Sequence, residues 1–332
     1  MPQPVIITET VSCALCGGRE HETLFVGRDR LHHTPGAWPV VRCRGCGLVF
    51  TNPRPAPESV GLVYPESYRP HQRPRRKRQS RRWKLQQWAL RYHWNYPPRR
   101  GGWLGKILSG PVMLWVRGKA RNYDLFPYQG EGRLLDYGCG NGKFLLAMRD
   151  RGWQVQGMDL TPQAVERCRA EGLEARLGRD MDEYPPNSFD AITLWQVIEH
   201  VPSPRQTLGQ AWRALRPGGL LTMSLPNFDS LTARWFGPYW FPLELPRHVT
   251  HFTPVTLKRI LAEENFTDIR FRPQRYGQWA QSSFKFVGEE HPSRLIQWLL
   301  KRKGCWRLME IPGNLLRKPT LMVVHARKPG SA

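Results

Sequence analysis

The run Leu134-Leu135-Asp136-Tyr137-Gly138-Cys139-Gly140-Asn141-Gly142-Lys143-Phe144-Leu145 decides the fold. Its apolar head reads as a buried strand and its tail from Lys143 as a helix, with three glycines at alternate positions between them. Glycines there let the backbone turn sharply and let a ligand approach it closely. The spacing is neither the GxGxxG dinucleotide fingerprint nor a P-loop, so a pyrophosphate-bearing cofactor is disfavoured and another nucleotide-like ligand is expected. Asp159 ends the next strand, where a carboxylate can accept both hydroxyls of a ribose.

Outward from this loop, strands and helices alternate. Arg133–Asp136, Trp153–Asp159, Glu174–Leu177, Phe189–Trp195, Leu220–Leu225 and Thr320–Ala326 read as strands. Helices are expected over Lys143–Arg151, over Thr161–Glu171 behind the Thr161-Pro162 start, and from about Arg205 to Leu215, stopped by Pro217-Gly218-Gly219. Such alternation implies an α/β fold with a doubly wound, mainly parallel sheet and ligands at the strand carboxyl ends.

Near the N-terminus, Cys13-Ala14-Leu15-Cys16-Gly17 and Cys43-Arg44-Gly45-Cys46-Gly47 are two CxxCG turns flanked by short β-like runs. Each turn brings two thiolates to one side, and two turns make a closed tetrahedral S4 site, so a zinc ribbon with structural zinc on Cys13, Cys16, Cys43 and Cys46 is expected. A redox CxxC is single and opens a helix, unlike this duplicated pattern. Cys139, Cys168 and Cys305 are scattered, which favours metal over disulfides and a reducing compartment.

The chain has 332 residues, 50 Lys and Arg against 27 Asp and Glu, a net charge of +23. The excess is local: Arg69 to Arg121 holds 16 basic residues and no acidic one, leaving 34 against 27 elsewhere. Trp83, Trp88, Trp94, Trp103 and Trp115 punctuate this stretch, which reads as helical from about Ser80 to Tyr92. It is a solvated basic linker, an interfacial segment on anionic lipid, or a nucleic-acid surface. With 40% hydrophobic and 23% charged residues the chain is too apolar for disorder, and no uncharged apolar run approaches the roughly 20 residues of a membrane span. Met1 to Ser12 lacks a basic n-region, so a cytoplasmic location is expected, peripheral to the inner face of the membrane if the basic stretch is interfacial.

The order continues with Ser188-Phe189-Asp190-Ala191-Ile192, Gln196-Val197-Ile198-Glu199-His200-Val201, Leu215-Arg216-Pro217-Gly218-Gly219-Leu220 and Ser224-Leu225-Pro226-Asn227. This series resembles the class I S-adenosylmethionine-dependent methyltransferases over about Gly132 to Lys328. The resemblance implies a seven-stranded Rossmann-like sheet and S-adenosylmethionine as cofactor. It assigns Asp136, Gly138, Gly140 and Gly142 to the methionine and ribose part, Asp159 with Leu160 to the ribose, and Asp180 with Met181 to adenine; Gln196 joins the same set. Cys139 is then an ordinary member of the loop, not a nucleophile.

With the ribbon and the segment Phe236-Gly237-Pro238-Tyr239-Trp240 through Pro246-Arg247-His248-Val249-Thr250-His251-Phe252-Thr253-Pro254, the chain is similar to zinc-ribbon methyltransferases of polysaccharide, glycolipid and natural-product assembly. Asn265-Phe266 departs from the Gly-Phe usual there, and a long insertion runs from about Arg272 to Lys318. The expected organisation is a zinc ribbon over 1–67, a basic Trp-rich helical linker over 68–128, and a methyltransferase domain over 129–332 with insertions at about 227–253 and 272–318.

The implied reaction is O-methylation of a small-molecule, sugar or lipid-linked glycan acceptor. Methyl transfer from a sulfonium is an in-line displacement that depends on positioning and exclusion of water. A hydroxyl acceptor holds its proton, and His200, His248 and His251 are the candidate bases; one of them can instead hydrogen-bond the wall of the site. Glu199-His200 can instead help bind a divalent cation, as in similar quinone-precursor O-methyltransferases, although Gln196 stands where a further carboxylate would help. Trp235, Phe236, Tyr239, Trp240 and Phe241 line an acceptor pocket or belong to the core. The competing reading is an RNA base methyltransferase. Against it, Leu194-Trp195-Gln196-Val197 replaces the Asn/Asp-Pro-Pro-Tyr that holds an exocyclic amine, and no Pro-Cys nucleophile follows. A non-catalytic cofactor-binding scaffold is the third.

Overall fold

A computed structural model describes residues 5–64, 81–94, 96–97, 102–119, 127–274, 278–291, 311–313 and 315–330. Cys305 and the basic residues between Arg69 and Arg78 lie outside the described residues. The first elements are β1 (Thr8–Glu9), β2 (His21–Gly27), β3 (Trp38–Cys43), β4 (Val49–Thr51), β5 (Arg54–Pro55), α1 (Arg81–His93) and α2 (Trp103–Lys119). Next come β6 (Arg133–Tyr137), α3 (Lys143–Arg149), β7 (Gln154–Asp159), α4 (Pro162–Ala170), β8 (Glu174–Leu177), β9 (Phe189–Trp195), α5 (Pro204–Ala214) and β10 (Leu215–Pro226). The last are α6 (Leu231–Phe236), β11 (Thr250–His251), α7 (Pro254–Glu263), β12 (Thr267–Gln274), α8 (Gln278–Glu290) and β13 (Leu321–Arg327).

Seven strands form one sheet in the order β12-β13-β10-β9-β6-β7-β8. β6 pairs in parallel with β7 and with β9, and β7 with β8. The chain enters at β6, steps out to β8, then returns to the other side of β6 as β9. That reversal makes the carboxyl ends of β6 and β9 the switch point, where open α/β sheets bind ligands. Leu134 to Tyr137 are all buried, as a central parallel strand requires. The expected Rossmann-like α/β sheet is therefore present.

One boundary differs from expectation. Pro217-Gly218-Gly219 does not follow the helix as a loop, because α5 ends at Ala214 and β10 runs through all three residues. Backbone bonds from Gly218 N to Lys328 O at 3.0 Å and from Lys328 N to Gly219 O at 3.1 Å hold them in extended pairing. A local stop signal is overridden by a partner far away in sequence.

The chain packs as two compact units, one of Met1–Tyr68, Gln196–Gly209 and Met223–Ala326, the other of Arg69–Trp195, Gln210–Thr222 and Arg327–Ala332. In the second, Ala89 and Leu90 of α1 and Met113 of α2 are buried with Leu134, Phe144, Met148 and Trp153. In the first, β11, β4, β3 and β2 form a four-stranded antiparallel sheet in that order. Trp38, Val40 and Val49 of this ribbon sheet share a core with Phe236, Trp240, Leu243 and Leu245. Phe236 and Trp240 are thus core residues, whereas Trp235 is exposed. Phe284 of α8 packs edge-on against Phe236 at 4.9 Å, which seats part of the expected 272–318 insertion on that core.

α7 opens with a capping box in which Thr253 Oγ1 accepts from Thr256 N and Thr256 Oγ1 accepts from Thr253 N. It closes on Asn265 at φ +62°, with Phe266 buried behind it. Asparagine tolerates the left-handed conformation that glycine usually supplies at a helix end, so the departure from Gly-Phe leaves the turn intact. Among the described residues, no helix is long and apolar enough to cross a membrane.

Candidate functional site

The glycine loop leaves β6 at the switch point. Gly138 N and Cys139 N both donate to Met158 O, at 2.7 and 3.1 Å, folding the loop against the end of β7. Gly142 has φ +71°, and a Cβ there would lie 2.8 Å from Leu173 Cδ1 and 2.9 Å from Cys168 Sγ. Backbone conformation and space both demand glycine. Asp159 is buried, with Gly140 N donating to Oδ2 at 2.8 Å and Thr161 N to Oδ1 at 2.9 Å. A carboxylate has about four lone-pair sites, so each oxygen keeps acceptor capacity for a ribose hydroxyl. This pair of acceptor oxygens is what the ribose hydroxyls of S-adenosylmethionine require.

The other residues expected to hold the cofactor take different places. Asp136 is fully buried and accepts from Thr193 Oγ1 at 2.7 Å, bracing β6 against β9, and burial pushes its carboxyl well above the ordinary range. Leu160 is exposed. Asp180 caps the 3-10 turn Met181–Glu183 through Asp182 N at 2.9 Å and also accepts from Gln210 Nε2 at 2.6 Å, while Met181 is buried. Gln196, in the other unit, has φ +58° and donates from Nε2 to Ser224 Oγ at 3.1 Å. Cys139 Sγ lies 3.8 Å from Cys168 Sγ, and that neighbour together with burial pushes the Cys139 thiol up, which suits packing and not nucleophilic attack.

The cysteine turns converge. Cys13 and Cys46 sulfurs are 3.4 Å apart, Cys16 and Cys43 sulfurs 3.5 Å, and all four lie within 4.8 Å of one another. Zinc at about 2.3 Å from four sulfurs requires S···S edges of about 3.8 Å, so the set fits a closed tetrahedral ion. Gly17 N to Cys13 O at 2.8 Å and Gly47 N to Cys43 O at 2.9 Å tighten the two knuckles.

Within the same unit Glu199, His200 and His248 come together, one ligand atom of each lying within 4.8 Å of the others. Glu199 and His200 sit in the 3-10 turn Ile198–His200, and the His200 and His248 rings meet edge-on at 4.4 Å. Both Glu199 carboxylate oxygens are buried with no hydrogen-bond partner among the described residues. Burial pushes Glu199 up to about 8. Burial, aided by His248, pushes His200 down to about 3, and His248 itself lies well below the ordinary imidazole range for the same reason. At neutral pH the imidazoles are neutral and the carboxyl is poised to titrate. A carboxylate and two imidazoles could also hold a divalent cation.

Backbone carbonyls and a carboxylate surround the two rings. His248 Nδ1 lies 2.8 Å from Pro242 O and its Nε2 3.5 Å from the Glu244 carboxylate, and His200 Nδ1 lies 3.1 Å from Arg247 O. His251 stands apart from this cluster. It is buried on β11 with Nε2 3.3 Å from Thr51 Oγ1, whose hydroxyl donates to His248 O at 3.0 Å. That is a bond of the wall.

Sequence reasoning missed three residues that hold the cluster. Tyr64 OH lies 3.0 Å from His200 Nδ1. Arg247, fully buried, forms a bidentate pair with Asp29 at 2.8 and 3.0 Å and donates to Val63 O at 3.2 Å. Because its own carbonyl accepts from His200, the pair is a positioning device for that imidazole. Arg247 was visible only inside the quoted Pro246–Pro254 segment, and Asp29 carried no signal.

Residues 116–270 match the Methyltransferase domain family. A Ubiquinone biosynthesis O-methyltransferase of Idiomarina loihiensis is 31% identical over 153 residues, 41% of this chain and 62% of that protein. One of Xanthomonas oryzae pv. oryzae is 37% identical over 130 residues, covering 36% of this chain and 54% of that one. The chain thus spans less than two thirds of the curated relatives it matches. A solved SAM-dependent methyltransferase from Archaeoglobus fulgidus aligns at 18% identity with a TM-score of 0.44, over 66% of this chain and 94% of that one. The family match runs across the glycine loop, Asp159 and the β6/β9 switch point, so residues 116–270 are the part of this chain similar to a methyltransferase domain.

Proposed function

We propose that the protein is an O-methyltransferase that moves a methyl group from S-adenosylmethionine to a hydroxyl of a small-molecule acceptor, with a sugar or lipid-linked glycan hydroxyl as the specific class. Oxygen as the acceptor atom is supported by the relatives, which are O-methyltransferases. The observation that carries the reading is the buried Glu199 carboxyl, without a hydrogen-bond partner among the described residues, beside two neutral imidazoles.

When bound, S-adenosylmethionine supplies an electrophilic methyl carbon. The chain's own residues do the rest. Asp159 accepts the ribose hydroxyls, and the glycine loop lets the methionine part lie against backbone. An acceptor hydroxyl gives its proton to the ionised form of the Glu199 carboxyl, beside which the neutral His200 and His248 imidazoles stand. A carboxylate tuned near 8 is matched to that task at neutral pH, since a base works best when its pKa lies close to the working pH. Zinc on Cys13, Cys16, Cys43 and Cys46 holds the ribbon and has no open position for chemistry.

The test is formation of S-adenosylhomocysteine by the full chain with S-adenosylmethionine and a panel of phenolic, hexose and polyprenyl-linked sugar acceptors. Turnover with a hydroxyl acceptor, lost in His200→Ala and Glu199→Gln while cofactor binding survives, supports the proposal. Calorimetry showing no cofactor binding to the folded chain refutes it.

A further inference from the structure

α2 carries a surface that the methyl-transfer reading leaves unused. Trp103, Leu104, Ile107, Leu108 and Leu114 are each between 58% and 72% exposed. At 100° per residue they fall within about 140° of one another around the helix and span about 17 Å along it. The opposite side of α2 is the buried one, with Ser109 and Met113 turned into the core of their unit. So α2 is not simply amphipathic: its outer side is apolar as well, which a water-facing helix does not need.

The charge of these helices is of one sign. Arg81, Lys84, Arg91 and Lys106 are the basic residues whose side chains are described on α1 and α2, and neither helix holds an acidic residue. The whole of Arg69 to Arg121 repeats the pattern with 16 basic residues and none acidic. We infer that the outer face of α2 is a docking surface for an anionic phospholipid membrane. Aliphatic and indole side chains enter the headgroup and acyl boundary while lysine and arginine meet lipid phosphates, and neither contribution suffices alone.

The two other occupants fit less well. A second copy of the chain would bring two cationic rims together, and like charges across an interface oppose association. Single-stranded nucleic acid stacks its bases on aromatic faces, whereas four of these five side chains are aliphatic. The structure also relocates the anchors expected from tryptophan spacing. Trp83 and Trp88 are half-buried in α1, with Trp88 edge-on to Tyr92 at 5.8 Å, and the exposed apolar surface belongs to α2 instead.

The experiment is flotation of the full chain with vesicles of phosphatidylcholine alone or with about a third phosphatidylglycerol, at low and high salt. The variant is Leu104→Ser/Ile107→Ser/Leu108→Ser, whose side chains are exposed, with circular dichroism and cofactor binding as controls for folding. Binding only to anionic vesicles, kept in part at high salt and weakened at least tenfold in the variant, is the expected result. No vesicle binding by the wild type, or equal binding by the variant, overturns the inference. A dimer in sedimentation that the variant dissociates, or structured RNA bound with a steep salt dependence in place of vesicles, overturns it in favour of those occupants. None of these outcomes depends on methyl-transfer activity.

Discussion

Replacing Glu199 with glutamine keeps the shape of the side chain and removes its charge, so it isolates what the buried carboxyl does to stability. In the folded protein burial lifts the group from an ordinary 4.5 to about 8. A raised carboxyl contributes its full stability below the unfolded value and loses it as pH climbs through the folded one. At about 1.4 kcal/mol per pH unit, the difference between wild type and Glu199→Gln changes by on the order of 5 kcal/mol between about pH 4.5 and 8 and is flat outside that window. The histidines act with opposite sign. His200 and His251 are lowered from 6.5 to about 3, so their contribution is present above pH 6.5 and lost as pH falls toward 3. Together these groups place the wild type's best stability near pH 6.5, and the variant moves that optimum upward. Urea unfolding of both proteins at half-unit steps from pH 5 to 9 measures it. Parallel stability curves for wild type and variant would show that the carboxyl is not held in a charge-excluding site, and the proton-transfer role would fall with it.

Asp159→Asn keeps one acceptor oxygen but loses the charge, and Asp159→Ala loses both, so cofactor affinity should fall in that order, with the alanine variant about thirtyfold weaker, or about 2 kcal/mol, by calorimetry. Elemental analysis of protein purified without chelator should find one zinc per chain; removing any of the four cysteines should abolish it and raise hydrogen exchange over residues 12–50, while zinc retained by a Cys16→Ser variant would contradict the closed set. Arg247→Met leaves Asp29 charged in a dry place and should cost about 3–5 kcal/mol in urea unfolding. The paired change Asp29→Leu/Arg247→Met should recover most of that loss, and a paired variant no more stable than the single one would deny the coupling.

The central strands and the loop between β6 and α3 were legible because their signals are local. A buried strand ending in Asp136, three alternate glycines and an acidic strand end at Asp159 all lie within 26 residues of one another. Asp29 and Arg247 were not, since 218 residues separate the partners and neither belongs to a periodic pattern. The same distance effect hid the start of β10, where pairing with Lys328 overrides Pro217-Gly218-Gly219. The spacing of three pairs His248 with His251, yet the irregular backbone before β11 sends the first ring to Glu199 while the two-residue strand sends the second to Thr51. Glu199 was noted as a possible metal helper and not as a base, because its burial, which sets its acidity, has no counterpart in local sequence.

The fourth strand of the ribbon sheet has a consequence for how the protein is made. Thr51 and His248, joined by a hydrogen bond beside the β4/β11 pairing, are 197 residues apart. At about 5–20 residues per second of synthesis, β4 waits roughly 10–40 s for β11 to leave the ribosome. During that interval Val49 and Phe50, buried in the finished protein, lie on an open strand edge, the kind that recruits foreign strands. Closing so long a loop also carries an entropic cost that slows the final pairing. The nascent ribbon strands are therefore open to aggregation until residue 251 has emerged, and a chaperone has reason to hold them for that interval.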